Sequence, residues 1–393
     1  MAEPTTPDPA PEEPRQEYFA NEATGVEIEE IESAREDGTA GRPWDPSKIR
    51  IGTKPFSLRH IIDMIEDGEV DLAPDFQRLF VWKPWERSRL IESILLGIPL
   101  PAFYFNQDDK GAMQVVDGVQ RLTTIHRFAK KGEVLHGLEY LKDLEGRTFD
   151  DLEVSLRRRF QQTQIFVNII EPQTPDDVKF DVFRRLNTGG GLLTAQEIRH
   201  CMSRERSRSF LKRLVDSPAF ATATDHAFKQ EKRMADRELA LRFLAFRHLG
   251  SVDAYQRFDG LDPFLLDFIR QVDGPKDGKP IIDDAGLARL AADFEQSMQS
   301  ATIVFGNAAF RKYPIGVDRR GPINRALFES WSVALADYQP EKLRQHATSI
   351  LGKARARMRE ERYVASITLA TGDIAKVLLR FQVAREILQQ VVR

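Results

Sequence analysis

The segment Val115-Val116-Asp117-Gly118-Val119-Gln120-Arg121 brings a carboxylate, a glycine, an amide and a guanidinium together within one short run. Met113-Gln114-Val115-Val116 reads as a short buried strand and Gln120 to Ala129 as a helix, so these groups fall on a strand-to-helix turn. Such a turn suits anion chemistry. A glycine lets backbone N–H groups approach an anion, the helix N-terminus adds partial positive charge, and an arginine in the first helical turn can fork onto phosphate oxygens. Asp117 suits a metal ion or a ribose hydroxyl, and Gln120 can orient a γ-phosphate or an attacking water. The same turn also has a purely conformational reading, because Asp-Gly pairs form turns in many proteins.

Two further segments carry polar groups that need a partner. In Pro74-Asp75-Phe76-Gln77-Arg78-Leu79-Phe80-Val81-Trp82, Gln77 and Arg78 interrupt an apolar run, where an unpaired arginine would be costly to bury. Arg78 therefore pairs with a carboxylate such as Asp117 or Glu92, or it faces a ligand. In Phe183-Arg184-Arg185-Leu186-Asn187, Arg185 and Asn187 stand just before three glycines, a setting suited to a phosphate or its magnesium. Asn followed by glycine is also a common helix ending.

The elements that must position these groups alternate in type. Ser57 caps a helix with Leu58, Ile61, Ile62 and Ile65 on one face, and Gly68 stops it. A second helix runs from Pro84 to Gly97, followed by a strand through Phe103-Tyr104-Phe105. Ile49-Arg50-Ile51 and Thr163 to Ile170 read as strands, Asp176 to Leu186 as a helix, and Thr194 with Glu197 as a capping box for a helix ending near Met202. Beyond Arg204 the strand signals fade. Helical periodicity dominates over Asp236–Leu249, Asp262–Val272, Asp283–Ser300, Asn324–Tyr338, Glu341–Arg359 and Asp373 to the end. The expected class is α+β, in three parts: a disordered acidic, Pro/Glu-rich tail over 1–45, a mixed domain over 46–205, and a mainly α-helical domain over 206–393.

Phe76-Gln77-Arg78 to Trp82, Leu90-Ile91-Glu92-Ser93-Ile94 to Pro101, Val116-Asp117-Gly118-Val119-Gln120-Arg121-Leu122-Thr123, and Phe183-Arg184-Arg185-Leu186-Asn187 to Thr194 occur in an order that resembles the GmrSD-type restriction endonuclease N-terminal domain family. The resemblance covers roughly residues 55 to 205. It implies a ParB/sulfiredoxin-like fold that takes a nucleoside triphosphate with Mg2+, in a bacterial DNA restriction or anti-phage defence system. Carried onto this sequence, it assigns catalytic roles to Asp117, Gln120 and Arg121. Nucleotide contacts fall to Gln77, Arg78, Gly118, Arg121, Arg185 and Asn187, and metal contacts to Asp117 and Asn187. Val119 stands where the family motif carries a glutamine. The motif lacks the cysteine that sulfiredoxin chemistry needs. The C-terminal half offers only His226, His248 and His346, far apart in sequence, so the paired-histidine nuclease of full-length restriction members is not recognisable there.

Composition bounds the remaining possibilities. No run of apolar residues is long enough to span a membrane and no export signal opens the chain, which points to the cytoplasm. The single cysteine, Cys201, excludes an internal disulfide and is expected to be a plain buried thiol. The net charge of −3 conceals an acidic excess in the first fifty residues and a basic excess in the remainder. A basic body suits a polyanionic partner, duplex DNA or nucleotide, with the acidic tail either competing for the same surface or simply solvated. Arg204, Arg206, Arg208, Lys212 and Arg213 form one basic cluster that can track a phosphate backbone, and Arg204, Arg206, Arg208 and Lys212 are its candidate DNA contacts. A second run, Arg355 to Arg362, is tempered by Glu360 and Glu361. Two functions follow: a nucleotide-binding protein with triphosphatase activity whose helical half recognises DNA or a partner nuclease, or a non-catalytic DNA-binding or adaptor module in which Arg78 and Arg121 make internal salt bridges with Asp117 and Glu92.

Overall fold

The structure, a computed structural model, describes residues 15–19, 22–29, 48–72, 82–108, 111–186, 194–229, 233–275 and 278–392. The chain divides into two units, Arg42–Arg204 and Met1–Gly41 with Glu205–Arg393. Strands β1 (Gln16–Phe19) and β2 (Glu22–Glu27) come first in the chain and belong to the second unit. No helix among the described residues is long and apolar enough to cross a membrane.

The first unit is α+β. Its elements run β3 (Ile51–Ser57), α1 (Leu58–Glu66), β4 (Val70–Asp71), α2 (Pro84–Leu96), β5 (Phe103–Gln107), β6 (Met113–Asp117), α3 (Val119–Lys130), α4 (Val154–Gln162), β7 (Gln164–Ile170), α5 (Asp176–Leu186) and α6 (Ala195–Met202). The five strands lie in the order β3-β7-β5-β6-β4. β3 pairs antiparallel with β7 from Ile51 opposite Ile170 to Ser57 opposite Gln164; β5 lies parallel to β7 and antiparallel to β6; β4 is parallel to β6. The expected strand at 49–51 meets the observed one only at Ile51, where β3 begins.

Local chemistry sets these boundaries. The Ser57 hydroxyl accepts the His60 N–H at 3.3 Å and opens α1, which buries Leu58, Ile61 and Ile62. Pro84 occupies the first turn of α2, and Gly97 ends it in the left-handed region at φ 82°. Alternation along β5 sends Phe103 and Phe105 into the core, where they meet Val115, Leu122, Ile125, Phe160 and Val167, all fully buried.

The second unit is helical: α7 (Glu205–Val215), α8 (Pro218–Ala223), α9 (Ala235–Leu249), α10 (Leu261–Asp273), α11 (Asp284–Phe305), α12 (Arg325–Leu335), α13 (Pro340–Arg357), α14 (Glu361–Ser366) and α15 (Ile374–Val391). Phe243, Phe246, Phe294, Leu327 and Phe381 lie at its centre. The antiparallel β1–β2 pair joins this core. Val26 is fully buried, the Glu27 N–H donates to the Ile323 carbonyl at 2.8 Å, and the Ile323 N–H returns to Gly25 at 2.9 Å.

The expectation of a disordered acidic tail over 1–45 therefore fails for 15–19 and 22–29. Averaged composition hid the reason, which is that individual carboxylates there pair with buried arginines. Arg242 uses every N–H of its guanidinium: Nη1 and Nη2 fork onto Glu29 at 2.9 and 2.7 Å, Nε and Nη2 reach Glu238, and Nη1 reaches Glu329 at 3.3 Å. Arg325 binds Glu17 at 3.0 Å and Glu238 at 3.2 Å, and Arg380 pairs with Glu329. Burial pushes the Glu29 carboxyl up, but Arg242 and Arg325 outweigh it and hold the group below its ordinary value.

Three outcomes follow from this packing. Gly118, between β6 and α3, sits at φ 97°, and an added Cβ would lie 2.3 Å from Phe103 Cδ1. Gly118→Ala should lower the stability of the first unit by about 1–3 kcal/mol, read as a shift of its urea midpoint. Glu329→Ala leaves Arg380 and part of Arg242 without their counter-charge and should cost the second unit about 3–5 kcal/mol, read from its own urea midpoint. Because the Glu29 carboxyl is depressed, its contribution is complete above pH 4.5 and disappears as pH falls through the lowered value. The gap in melting temperature between the native chain and Glu29→Gln should therefore be wide at pH 7 and narrow steadily below pH 4.5.

Candidate functional site

The Asp117–Arg121 turn has the strand-turn-helix geometry expected of it. β6 enters with Val115 and Val116 buried, Gly118 turns the chain in the left-handed region, and α3 follows, its register closed by the Leu122 N–H bonding the Gly118 carbonyl at 2.9 Å. Gly118 has no side chain with which to cap the helix, so the first-turn amides of α3 receive no side-chain cap. Gly118 is required on two counts, its positive φ and the Phe103 ring packed against its Cα.

Arg121 is not splayed toward solvent as a phosphate fork. Its guanidinium lies over the Phe103 ring at 4.3 Å. Nη1 donates to the Pro101 carbonyl at 2.5 Å, and Nη2 to the Ala102 carbonyl at 3.3 Å and to Asp117 Oδ2 at 3.0 Å. Burial pushes the Arg121 pKa down, and Asp117 opposes that shift. Of five N–H donors this leaves Nε and one hydrogen on Nη1 for other use. Asp117 is about half-exposed, at 47%, and its Oδ1 makes no bond to Arg121. The pair thus presents a carboxylate oxygen and a restrained cation at the open end of an uncapped helix. Gln120 is half-buried one residue before Arg121, and its backbone carbonyl accepts from the Thr124 hydroxyl at 2.8 Å.

Gln77, Arg78 and Asn187 lie outside the described residues. Arg185 is exposed in the last turn of α5. Glu92, a candidate partner for Arg78, accepts backbone donors: Oε1 takes the N–H groups of Tyr140 and Leu141, each at 2.7 Å, and Oε2 that of Glu139 at 3.0 Å. Burial pushes its carboxyl up, but these three donors prevail and hold it below the ordinary range. Among the described residues no group of three or more His, Cys, Asp or Glu side chains gathers as a metal would require.

The basic cluster after Met202 is split, since the boundary between the units falls between Arg204 and Glu205. Arg206 is structural: it donates to the Val272 and Ile282 carbonyls at 2.9 and 3.1 Å and to Asp284 at 2.6 Å, tying α7 to the start of α11. Arg208 is half-buried, and Lys212 is exposed in the last turn of α7. In the second basic run Arg355 is structural as well, stacked on Tyr313 at 3.8 Å and bonded to the Tyr313 and Pro314 carbonyls.

One polar group near the turn went unnoticed in the sequence. α6 packs on β6, the strand that ends in Asp117, and buries Gln196, Arg199 and His200. Arg199 donates to Gln196 at 2.8 Å and lies 5.9 Å from the Phe180 ring centre. Their spacing of three and four residues places them on one helix face. That spacing was readable, but a polar face on a short helix ordinarily signals solvent. Cys201, on the same helix, is a buried thiol as expected.

Comparison with known proteins bears on the first unit. No curated protein matches the chain. Residues 58–203 match the family model of the GmrSD restriction endonuclease, N-terminal domain, a span that lies inside the first unit and carries the Asp117–Arg121 turn. Over residues 58–203 the α+β unit that holds this turn is thus similar to the GmrSD restriction endonuclease, N-terminal domain.

Proposed function

We propose that the first unit binds a nucleoside triphosphate at the Asp117–Arg121 turn, in a bacterial system that restricts foreign DNA, and that the second unit recognises DNA or a partner nuclease. The observation that carries this reading is the uncapped start of α3 beside a half-buried, ring-stacked arginine. Backbone N–H groups and a restrained cation converge there, as a phosphate needs. The family match supplies the restriction setting.

The residues divide the work. The first-turn amides of α3 and the spare N–H groups of Arg121 take phosphate oxygens, while the Phe103 ring and the Pro101 and Ala102 carbonyls hold the guanidinium in place. Gln120 orients the terminal phosphate or an attacking water. Gln77, Arg78, Arg185 and Asn187 complete the phosphate contacts. Asp117 fits Mg2+, because its Oδ1 is not engaged by Arg121 and magnesium is commonly held by one or two carboxylates together with phosphate oxygens. Asn187 would add a second oxygen. Bound there, the metal would supply charge neutralisation of the phosphates.

A second reading has a specific observation behind it. The Asp117–Arg121 ion pair at 3.0 Å is the internal salt bridge expected of a non-catalytic adaptor that keeps the fold but uses the turn structurally.

Phosphate release from each of the four common ribonucleoside triphosphates with magnesium, with and without duplex DNA, separates the two readings. It is paired with melting temperatures of the native chain and of folded Asp117→Asn and Arg121→Ala. Under the nucleotide reading, a triphosphate at about 100 times its Kd raises stability by about 2.7 kcal/mol. Both substitutions should reduce that shift, and Asp117→Asn should lower turnover by at least tenfold. Under the adaptor reading no triphosphate shifts melting or is hydrolysed, and duplex DNA binding weakens steeply with salt.

A further inference from the structure

The second unit contains a cleft of about 770 Å³, within the range of small-ligand sites. One wall is the β1–β2 pair, and another is the segment 311–322 between α11 and α12. Five cationic side chains line it, Arg15, Arg311, Lys312, Arg319 and Arg320, against two carboxylates, Glu27 and Asp225. Both carboxylates are committed. Glu27 pairs with Lys312 at 2.5 Å and Asp225 with Arg320 at 2.8 Å.

Arg311 and Arg319 have no carboxylate partner among the described residues. Arg311 donates Nη1 to the Gly321 carbonyl at 3.0 Å and Nη2 to the Thr224 carbonyl at 3.1 Å, and its buried Nε has no acceptor. Burial and the Arg320 charge push its pKa down, with Asp225 opposing. Arg319 is exposed at the rim. A half-buried guanidinium hydrogen-bonded to carbonyls and not to a carboxylate is an environment that an anion relieves.

The walls are fixed before any ligand arrives. The Ile323 N–H bonds Gly25, the Asn324 N–H bonds the Phe310 carbonyl at 2.8 Å, and the Gly321 N–H bonds the Lys312 carbonyl at 2.9 Å. Phe310, next to Arg311, is held at φ 61° with its ring packed on Phe328, and Asp225 sits at φ 55°. Non-glycine residues persist in that region only where the surroundings impose it. The cleft also has an apolar lining, with Tyr18 mostly exposed and Val317, Val364 and Ile367 among its residues.

We propose that this cleft is a second anion site, which takes a nucleotide by its phosphate on Arg311 and Arg319 and lays the base against the Tyr18 and Val317 side. The nucleotide is either free or a unit of a single DNA strand. The site is separate from the Asp117–Arg121 turn and does not depend on what that turn binds.

The test uses the full chain with Arg319→Glu. Arg319 is exposed and makes no structural bond among the described residues, so the variant should fold as the native protein does. Calorimetric titrations with ATP, with inorganic pyrophosphate and with a 5′-phosphorylated eight-nucleotide single strand are run on both chains, each with and without Asp117→Asn. A free-nucleotide site shows ATP binding that Arg319→Glu weakens at least tenfold whether or not Asp117 is substituted. A strand site shows the same loss for the oligonucleotide and no ATP binding sensitive to Arg319. If pyrophosphate alone binds and is lost, the cleft takes bare phosphate and the nucleotide assignment is wrong. If none of the three probes binds more weakly to Arg319→Glu, the site does not exist. Loss of ATP binding on Asp117→Asn alone, with no effect of Arg319→Glu, would uphold the first site and overturn this one.

Discussion

The second unit depends on keeping three guanidiniums, Arg242, Arg325 and Arg380, charged inside a helical core. Arg242 and Arg380 are almost wholly shielded from solvent, and no arrangement of apolar helices tolerates that without counter-charge at hydrogen-bonding distance. Glu238 on α9 and Glu329 on α12 supply part of it. Glu17 and Glu29, which precede the whole first unit in sequence, supply the rest. For Arg242, burial alone would lower the pKa, but Glu29, Glu238 and Glu329 together raise it well above its ordinary value. Part of the acidic excess at the start of the chain is therefore the counter-charge of buried cations in the second unit. Read in bulk, the acidic start and the basic remainder suggest a solvated tail beside a near-neutral body. Read residue by residue, some of those acids are core components.

In the first unit the analogous constraint is smaller and sits at the surface. Gly118 lets the Phe103 ring approach the turn, the ring supports the Arg121 guanidinium, and the guanidinium bonds the chain before β5 and the carboxylate at the end of β6. One arginine thus orders two strand ends, and its remaining donors sit beside the uncapped start of α3. A group held by carbonyls, a ring and a carboxylate pays little further entropy when it meets a ligand. The same bonds limit how far it can move, so a phosphate must come to Arg121 at the helix terminus.

Much of this was readable from residue types. Ser57, Pro84, Gly97, Gly118 and Thr194 each mark a helix boundary by a local mechanism, and β5, β6 and β7 lie where apolar periodicity places them. What escaped depended on distant partners. β4 is two residues long and α4 has a polar exposed face, so neither offers enough pattern. Glu92 holds backbone donors nearly fifty residues away, which no local pattern reveals. Arg206 looked like part of a phosphate-tracking stripe, but carbonyls and a carboxylate on α10, α11 and the turn between them claim it. Charge runs in a sequence record which residues carry charge. Whether a charge faces solvent is decided by segments that sequence proximity does not reveal.

The division of the chain makes the second unit discontinuous, with the first unit inserted between its opening strands and its helices. Glu17 and Arg325 are 308 residues apart. At a synthesis rate of about 5–20 residues per second, on the order of 15–60 s separates the emergence of the two from a ribosome. Once residue 204 has emerged the first unit has all of its own strands and can fold, whereas β1 and β2 still await the helices of the second unit. The opening segment must therefore stay soluble and unpaired while a complete neighbouring domain forms behind it. Its wealth of carboxylates, proline and alanine, which made it look like a permanent tail, suits it to that wait.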